Sequence, residues 1–353
     1  MLREVERVET SDPAALLAFL ESHGLAGEPA QQTGDVAVQL LLGARGCAAI
    51  GGVPLGPDSP VGVPECVAVA YRRGGSRRPA PSGAAVGEWT RSWSDAQHAA
   101  AVAQVRAAIS RGDVYQANVV GHRRAPFTGD PAALAAAVVA LPGAVYRGSV
   151  SGEGWTVASA SPEQLVRVVG TRITTVPIKG TSREPAMLLA SGKDRAEHIM
   201  IVDLERNDLA RVTVPGSVEV EELYDVAEWA GLWHASSVVA GTLAAGVGTT
   251  AVLSALLPGG SVTGAPKHAA CGLLADLELV GRGPAMGALG FVWPGGLDLG
   301  LTIRTIAACD GVVHLWAGGG ITWGSDPEEE VAEAHAKAAP VQRALAQVRP
   351  SAS

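Results

Sequence analysis

Apolar and polar positions along the chain alternate with two different periods. Ala101, Val102, Val105, Ala108 and Ile109 recur at helical spacing within 94–110, and Gly112 marks the stop. The run VYQANVV that follows reads as a strand, and the Ala-rich stretch Pro131 to Ala140 as a helix. Strand patterns lie near 144–150, 155–159, 165–169 and 172–178. Glu184 to Leu209 reads as one long helix and Ala251 to Leu256 as a short one. The last third alternates the strands Gly287 to Trp293, Leu299 to Ala308 and Val312 to Ala317 with a final helix from Ser325. Before residue 88 the chain is punctuated by Gly and Pro around short apolar runs, Val36 to Leu42 and Cys66 to Tyr71, which read as strands. Strand runs broken by helices without a regular βαβ rhythm predict an α+β fold, an α/β sandwich of two β-sheets flanked by helices. The expected organisation is a short N-terminal region, residues 1–88, that is part of the sandwich, and a catalytic domain over 89–345, forming one intertwined unit.

Composition narrows the functional classes. The 353 residues carry 27 Lys plus Arg against 35 Asp plus Glu, a net charge of −8, which argues against nucleic acid as a partner. Four cysteines (Cys47, Cys66, Cys271, Cys309) show no CxxC spacing, as expected of a reducing cytosol. The charged start MLREVERVETSD has no apolar core of a signal peptide, and the longest uncharged stretch, Trp229 to Pro266, is too rich in Gly, Ser, Thr and Pro for a membrane span. A cytoplasmic protein without a membrane partner is expected. Only four of the basic residues are lysines: Lys179, Lys193, Lys267 and Lys337.

Three local patterns carry chemistry, and each has a plain alternative. Glu330, Glu333 and Lys337 share one face of the final helix, and Asp194 and Glu197 share a face of an earlier one. Either these are solvated acidic faces or the two helices meet to hold a hard cation such as Mg²⁺. Gly318-Gly319-Gly320 is either a tight turn or a backbone edge open to an anion. Lys179, in the apolar run VPIKGT, is either a surface lysine or a desolvated amine able to act as nucleophile. The segment LPGGSVTGAPK lacks the GK[ST] ending of a phosphate loop, so nucleotide binding is not expected.

Taken in order, GDVYQANVV, SPEQL, PIKGT, AEHIMIVDLERNDLARV, PGGSVTGAPK, GALGFV with LTIRTI, and AGGGITWGSDPEEEVAEAHAKA resemble the chorismate-utilising enzymes of the anthranilate synthase component I family over roughly residues 90–340. The resemblance implies a two-sheet sandwich with a cleft for chorismate and Mg²⁺. It implies Glu197 and Glu333 as metal ligands with Asp194 and Glu330 supporting them. It further implies Arg304, Lys337, Gly180, Thr181, Thr263 and the Gly318, Gly319 and Gly320 amides as groups that hold the substrate carboxylates, and His234 as the histidine near the leaving group. Members that add water carry a lysine base where this chain has Gln116, so amination is expected, and PIKGT is the pattern of aminodeoxychorismate synthase component I. The implied reaction is amination of chorismate at C4 through a covalent Lys179 adduct at C2, with Glu163 as acid, feeding p-aminobenzoate and folate synthesis. Glu163 and Lys179 are expected on two adjacent strands joined by the VVGTRIT turn.

Two departures matter. Ala285 stands where the family often has a tyrosine, which keeps amination at C2 open as the alternative. None of the four cysteines sits in a glutaminase pattern, so a separate glutamine amidotransferase subunit is expected to supply ammonia. A chorismate-binding regulator without catalysis is disfavoured by the full set Glu163, Lys179, Glu197 and Glu333.

Overall fold

The computed structural model describes residues 2–350 apart from 76–79, Arg183 and 230–231; the side chains of Thr181, Lys193, Asp194, Trp229 and Leu232 also lie outside the described residues. The N-terminal stretch forms β1 (Leu2–Thr10), α1 (Pro13–Ser22), β2 (Ala37–Leu42), α2 (Ala44–Gly51), β3 (Cys66–Arg73), β4 (Ala84–Val86) and β5 (Thr90–Arg91). There follow α3 (Asp95–Arg111), β6 (Gln116–Gly129), α4 (Pro131–Val139), β7 (Tyr146–Gly152), β8 (Trp155–Ser161), β9 (Gln164–Val169), β10 (Arg172–Val176) and β11 (Ile178–Ser182). The remainder is α5 (Pro185–Ala190), α6 (Gly192–Ala210), β12 (Glu219–Trp229), β13 (Leu232–Thr242), α7 (Thr249–Leu256), β14 (Gly264–Ala265), α8 (Lys267–Leu277), β15 (Ala288–Trp293), β16 (Gly296–Leu301), β17 (Thr305–Cys309), β18 (Val312–Ile321) and α9 (Pro327–Ala346).

Helix starts follow local capping chemistry. Ser94 and Gln97 form a reciprocal capping box at α3. Asp130 accepts from Ala132 N ahead of Pro131 at α4, and Asp326 accepts from Glu328 N and Glu329 N ahead of Pro327 at α9. Each cap satisfies amides that the first turn leaves without partners.

Among the described residues the strands build two antiparallel sheets. One runs β1-β3-β2-β15-β16-β9-β10-β13-β11 with β12 on β13; the other runs β14-β6-β18-β17-β8-β7 with β4 and β5 on β6. Side-chain alternation assigns the faces. Val157 and Ala307 of the second sheet join Leu40, Val168 and Leu299 of the first in one core, whereas Ala158, Ile306 and Ala308 face the other way onto Leu134 of α4 and Val341 of α9. The molecule is thus an α+β sandwich with its main core between the sheets and α4 and α9 covering the outer face of the second sheet.

Several expected elements divide. The long helix expected over Glu184 to Leu209 is two helices, α5 and α6, parted at Ser191. The strand expected over 172–178 breaks at Pro177 into β10 and β11, because proline cannot donate to a ladder. The strand expected over Leu299 to Ala308 is two strands in different sheets, β16 and β17. The chain crosses between layers at 302–304, with Arg304 at φ +50. The pattern leaves helices α1, α2 and α8 and strands β1, β4, β5, β12, β13 and β14 unassigned; α8 has a weak apolar stripe interrupted by Lys267, His268 and Asp276.

Candidate active site

A cavity of about 470 Å³ opens between the sheets where β17 leaves β18. It is lined by Asn118, Glu163, Lys179, Gly180, Glu197, His234, Ser261, Arg304, Trp316, Gly318, Gly320, Glu330, Glu333 and Lys337, among others. β17 pairs with β18 up to Leu315, whereas β6 pairs with it through Ile321. Beyond Leu315, then, the second edge of β18 faces the cavity. The glycine run lies inside this strand and not in a turn. A side chain at 319 would press on Glu330 Oε2, 3.0 Å from a Cβ, and one at 320 would overlap the Gln116 amide. Glycine is required here so that groups on both faces can close on the strand edge.

Lys179 sits at a bulge in the β11–β13 pairing, between Lys179↔Ala235 and Thr181↔His234, with Gly180 at φ +81. The bulge re-aims the strand so that Lys179 enters the cavity. Its Nζ donates to the Ser261 carbonyl at 3.4 Å. Desolvation pushes its ammonium below the usual lysine range; Lys337 acts the same way, while Glu163, Glu197 and Glu333 oppose it. Glu163, 5% exposed, has its carboxyl raised by burial against opposing help from the Ser261 hydroxyl, Lys179 and the Ile178 amide, which donates to Oε1 at 3.4 Å. Both groups are biased towards neutral amine and neutral acid. The expected adjacency of their strands is wrong: β10 and β13 intervene between β9, which follows Glu163, and β11. What joins them is Ser261, whose carbonyl faces the amine and whose hydroxyl faces the acid.

The two acidic helices both send carboxylates into the cavity. Glu197 of α6 and Glu330 and Glu333 of α9 line the same cavity, and Thr322 Oγ1 donates to Glu197 Oε1 at 3.2 Å. Glu330 is buried while Glu333 and Lys337 remain about half exposed, so this face is partly withdrawn from solvent. Lys337 Nζ pairs with Glu333 Oε1 at 2.5 Å and donates to the Gly318 carbonyl at 3.1 Å. The side chain of Asp194 lies outside the described residues, and so does that of Thr181. Among the described residues no three His, Cys, Asp or Glu side chains gather closely enough to close a metal's coordination by themselves.

Arg304 and His234 face each other across the cavity wall; burial and Arg304 hold the His234 imidazole down to about 4, and burial lowers Arg304 from its usual range. Three expected residues, Thr263, Gln116 and Gly319, lie off the lining. Thr263 spends its hydroxyl on the Gly259 carbonyl at 2.8 Å, and Gln116 is fully buried behind Gly320. Sequence reasoning missed Asn118, Ser261 and Trp316. The signal for Asn118 was two polar residues, Gln116 and Asn118, at strand spacing inside the apolar run VYQANVV.

An amine pushed down and a carboxyl pushed up, in an intersheet cavity with further carboxylates and an open strand edge, are the arrangement of an enzyme active site. The chain belongs to the chorismate binding enzymes, whose family model matches residues 65–343. It is 40% identical over 257 residues to anthranilate synthase component 1 of Streptomyces coelicolor, covering 69% of this chain and 50% of that protein. It is 37% identical over 241 residues to aminodeoxychorismate synthase component 1 of Salmonella typhimurium, covering 65% and 53%. The chain therefore spans about half the length of these relatives. Anthranilate synthase component I from Streptococcus pneumoniae has the same fold, with a TM-score of 0.84 at 23% identity over 97% of this chain and 92% of the other. No helix among the described residues is long and apolar enough to cross a membrane.

Proposed function

We propose that this chain aminates chorismate at C4 with ammonia, giving 4-amino-4-deoxychorismate for p-aminobenzoate synthesis. The observation that carries the reading is the pair Lys179 and Glu163, an amine pushed down and a carboxyl pushed up within one cavity. Neutral Nζ forms a bond to ring C2, both ring double bonds shift, and the C4–O bond breaks as Glu163 gives its proton to the departing water. The new ammonium at Nζ returns a proton to Glu163. Ammonia then forms the C4–N bond, the double bonds shift back, and the C2–Nζ bond breaks as Glu163 protonates the leaving amine. The C4 ammonium restores that proton, so the acid and the amine end as they began.

Arg304, Lys337, the Gly180 backbone and the open edge at Gly318–Gly320 would hold the two carboxylates of the substrate, and His234 would face the leaving group. The carboxylates Glu197, Glu333 and Glu330 fit Mg²⁺, a cation that takes few protein carboxylates and keeps sites for water and substrate oxygen. Bound there, it would neutralise the ring carboxylate and favour departure of the hydroxyl. Ammonia would come from a separate glutamine amidotransferase subunit, as the name component 1 of the relatives suggests.

A second reading, amination at C2 to anthranilate or 2-amino-2-deoxyisochorismate, draws support from Ala285. This residue is buried in the intersheet core and offers no hydroxyl to the cavity beside its neighbour Met286. The test is to incubate the purified chain with chorismate, Mg²⁺ and ammonium at pH 8.5, with and without a lyase for aminodeoxychorismate, and to identify products by mass. Lyase-dependent p-aminobenzoate is expected, and direct anthranilate would overturn C4 amination. Lys179→Ala is expected to cut the rate on the order of 10³-fold or more and to abolish the adduct.

A further inference from the structure

We propose that His198 is a positioning residue for Lys179: Ser237 fixes which ring nitrogen carries its proton, and that proton is directed at the backbone that aims the amine. This deepens the reading above and rests on its assignment of Lys179 as nucleophile. His198 follows Glu197 on α6, and successive residues of a helix point about 100° apart. Glu197 lines the cavity, whereas His198 does not line it and is wholly buried, its ring edge-on to that of Tyr224 with centroids 5.1 Å apart. Its Nε2 meets Ser237 Oγ at 2.5 Å. Ser237 lies on β13, two residues beyond Ala235, which pairs with Lys179 at the bulge. Alternation along the strand therefore puts Ser237 and Lys179 on one face of the sheet, the face that His198 approaches.

The donors decide where the ring proton sits. The Tyr224 amide donates to Ser237 Oγ at 2.9 Å, so the hydroxyl has its own hydrogen to give. Among the described residues the acceptor within its reach is His198 Nε2. Burial and Lys179 hold the imidazole down to about 4, so the neutral ring carries its one proton on Nδ1. Nδ1 is buried and closes no hydrogen bond of ordinary length and angle. The acceptor beside it is the Lys179 backbone, which opposes the lowering.

Both ends of this relay are unusual. Tyr224 is held at φ +56, a conformation rare outside glycine, and its hydroxyl is tied to the Leu188 carbonyl at 2.9 Å. Such strain persists only where the surroundings enforce it, and it gathers near working sites. At the other end Gly180 stands at φ +81 beside the bulge. A bulge disrupts the ladder that would otherwise hold the strand, and a donor from α6 supplies a restraint from outside the sheet. A nucleophile misplaced by about 1 Å loses on the order of 100-fold in rate.

The experiment is steady-state amination by the full chain, with varied chorismate at saturating ammonium, for the parent, His198→Phe, His198→Asn, His198→Gln and Ser237→Ala. Amide hydrogen exchange of the peptide spanning β11 is measured alongside and needs no catalysis. His198→Phe keeps a ring against Tyr224 and loses both nitrogens; kcat is expected to fall about 100-fold with the chorismate KM within about twofold. Asn carries an N–H donor on Cγ, as Nδ1 is carried, and is expected to return kcat to within about tenfold of the parent; Gln carries it one carbon further, where Nε2 lies, and is not. Ser237→Ala releases the tautomer and should lose about tenfold. Exchange in β11 should quicken in His198→Phe and Ser237→Ala and stay near the parent rate in His198→Asn. If His198→Phe no longer binds chorismate, the other three variants decide by the same order. An unchanged kcat in His198→Phe, or a Gln variant as active as the Asn one, overturns the proposal. So does a fall in kcat matched by a rise in the chorismate KM without rescue by Asn, which would make His198 a packing residue alone. A parent chain that binds chorismate and never aminates it removes the underlying reading, and the role of His198 falls with it.

Discussion

Lys267 and Lys179 both meet carboxylates away from bulk water, in different surroundings. Lys267 Nζ pairs with Asp208 Oδ2 at 2.6 Å and donates to the Leu256 carbonyl at 3.3 Å. Nearby, Arg282 closes on Glu278 and on the carbonyls of Val262 and Asn118 at 2.6–3.0 Å. At Lys179 the bond to Ser261 is 3.4 Å long, and Glu163 meets the Ile178 amide at 3.4 Å. Burial pushes the Asp208 and Glu278 carboxyls up as it does that of Glu163, but short bonds to Lys267 and Arg282 tie them into the structure. The long bonds at Lys179 and Glu163 leave an amine that is pushed down and an acid that is pushed up without such ties, open to a substrate. The comparison predicts that the reactive pair costs stability where the tight pairs supply it.

The strongest way to break this comparison is Lys267→Met. It strands the Asp208 carboxylate beside Glu205, whose own carboxyl burial and Asp208 already push up to about 8. A loss of about 3–5 kcal/mol in urea unfolding at pH 7 is expected. Lys179→Met should act with the opposite sign, raising stability by about 0.5–2 kcal/mol while amination disappears. If both variants lose stability alike, the distinction between the two regions is wrong.

A smaller effect sharpens it on a buried polar group that carries no charge. His122 lies between Ser92 Oγ at 2.6 Å and His314 Nδ1 at 3.0 Å, and burial with His314 and Arg124 lowers its pKa to about 3. Below pH 6.5 the unfolded chain binds a proton there and the folded chain does not, so stability falls as pH drops from 6.5 towards 3. The contribution reaches about 1.4 kcal/mol per pH unit. His122→Gln is expected to remove that part of the slope, measured as unfolding midpoints at pH 7, 6 and 5. An unchanged slope would show that His122 is already charged in the folded protein.

Much of the scaffold was legible because its causes are local. Asp326-Pro327 opens α9, Ser94 with Gln97 opens α3, and Asp130-Pro131 opens α4, each by hydrogen bonds within one turn. Short apolar runs bounded by Gly and Pro likewise exposed β2 and β3. The divided elements were illegible for the opposite reason. The apolar run through Leu299 to Ala308 is continuous in composition, and its break comes from two sheets claiming its two halves. Lys179 was visible as an odd lysine in an apolar strand, but its bulge at Gly180 depends on pairing with β13, a strand more than fifty residues away.

The sequence by itself determined which chemical groups exist and which share a face: Glu330 with Glu333 and Lys337 on one helix, Gln116 with Asn118 on one strand. Helix and strand periods are set by the backbone within a few residues, so those relations follow from spacing alone. Tertiary structure decided what each face meets. It turned carboxylates of α6 and α9 into one cavity, opened the edge of β18 by drawing β17 away, and set Ser261 between Glu163 and Lys179. Such contacts join residues distant in sequence. They arise when the two sheets bury a common core, and spacing along the chain carries no record of them.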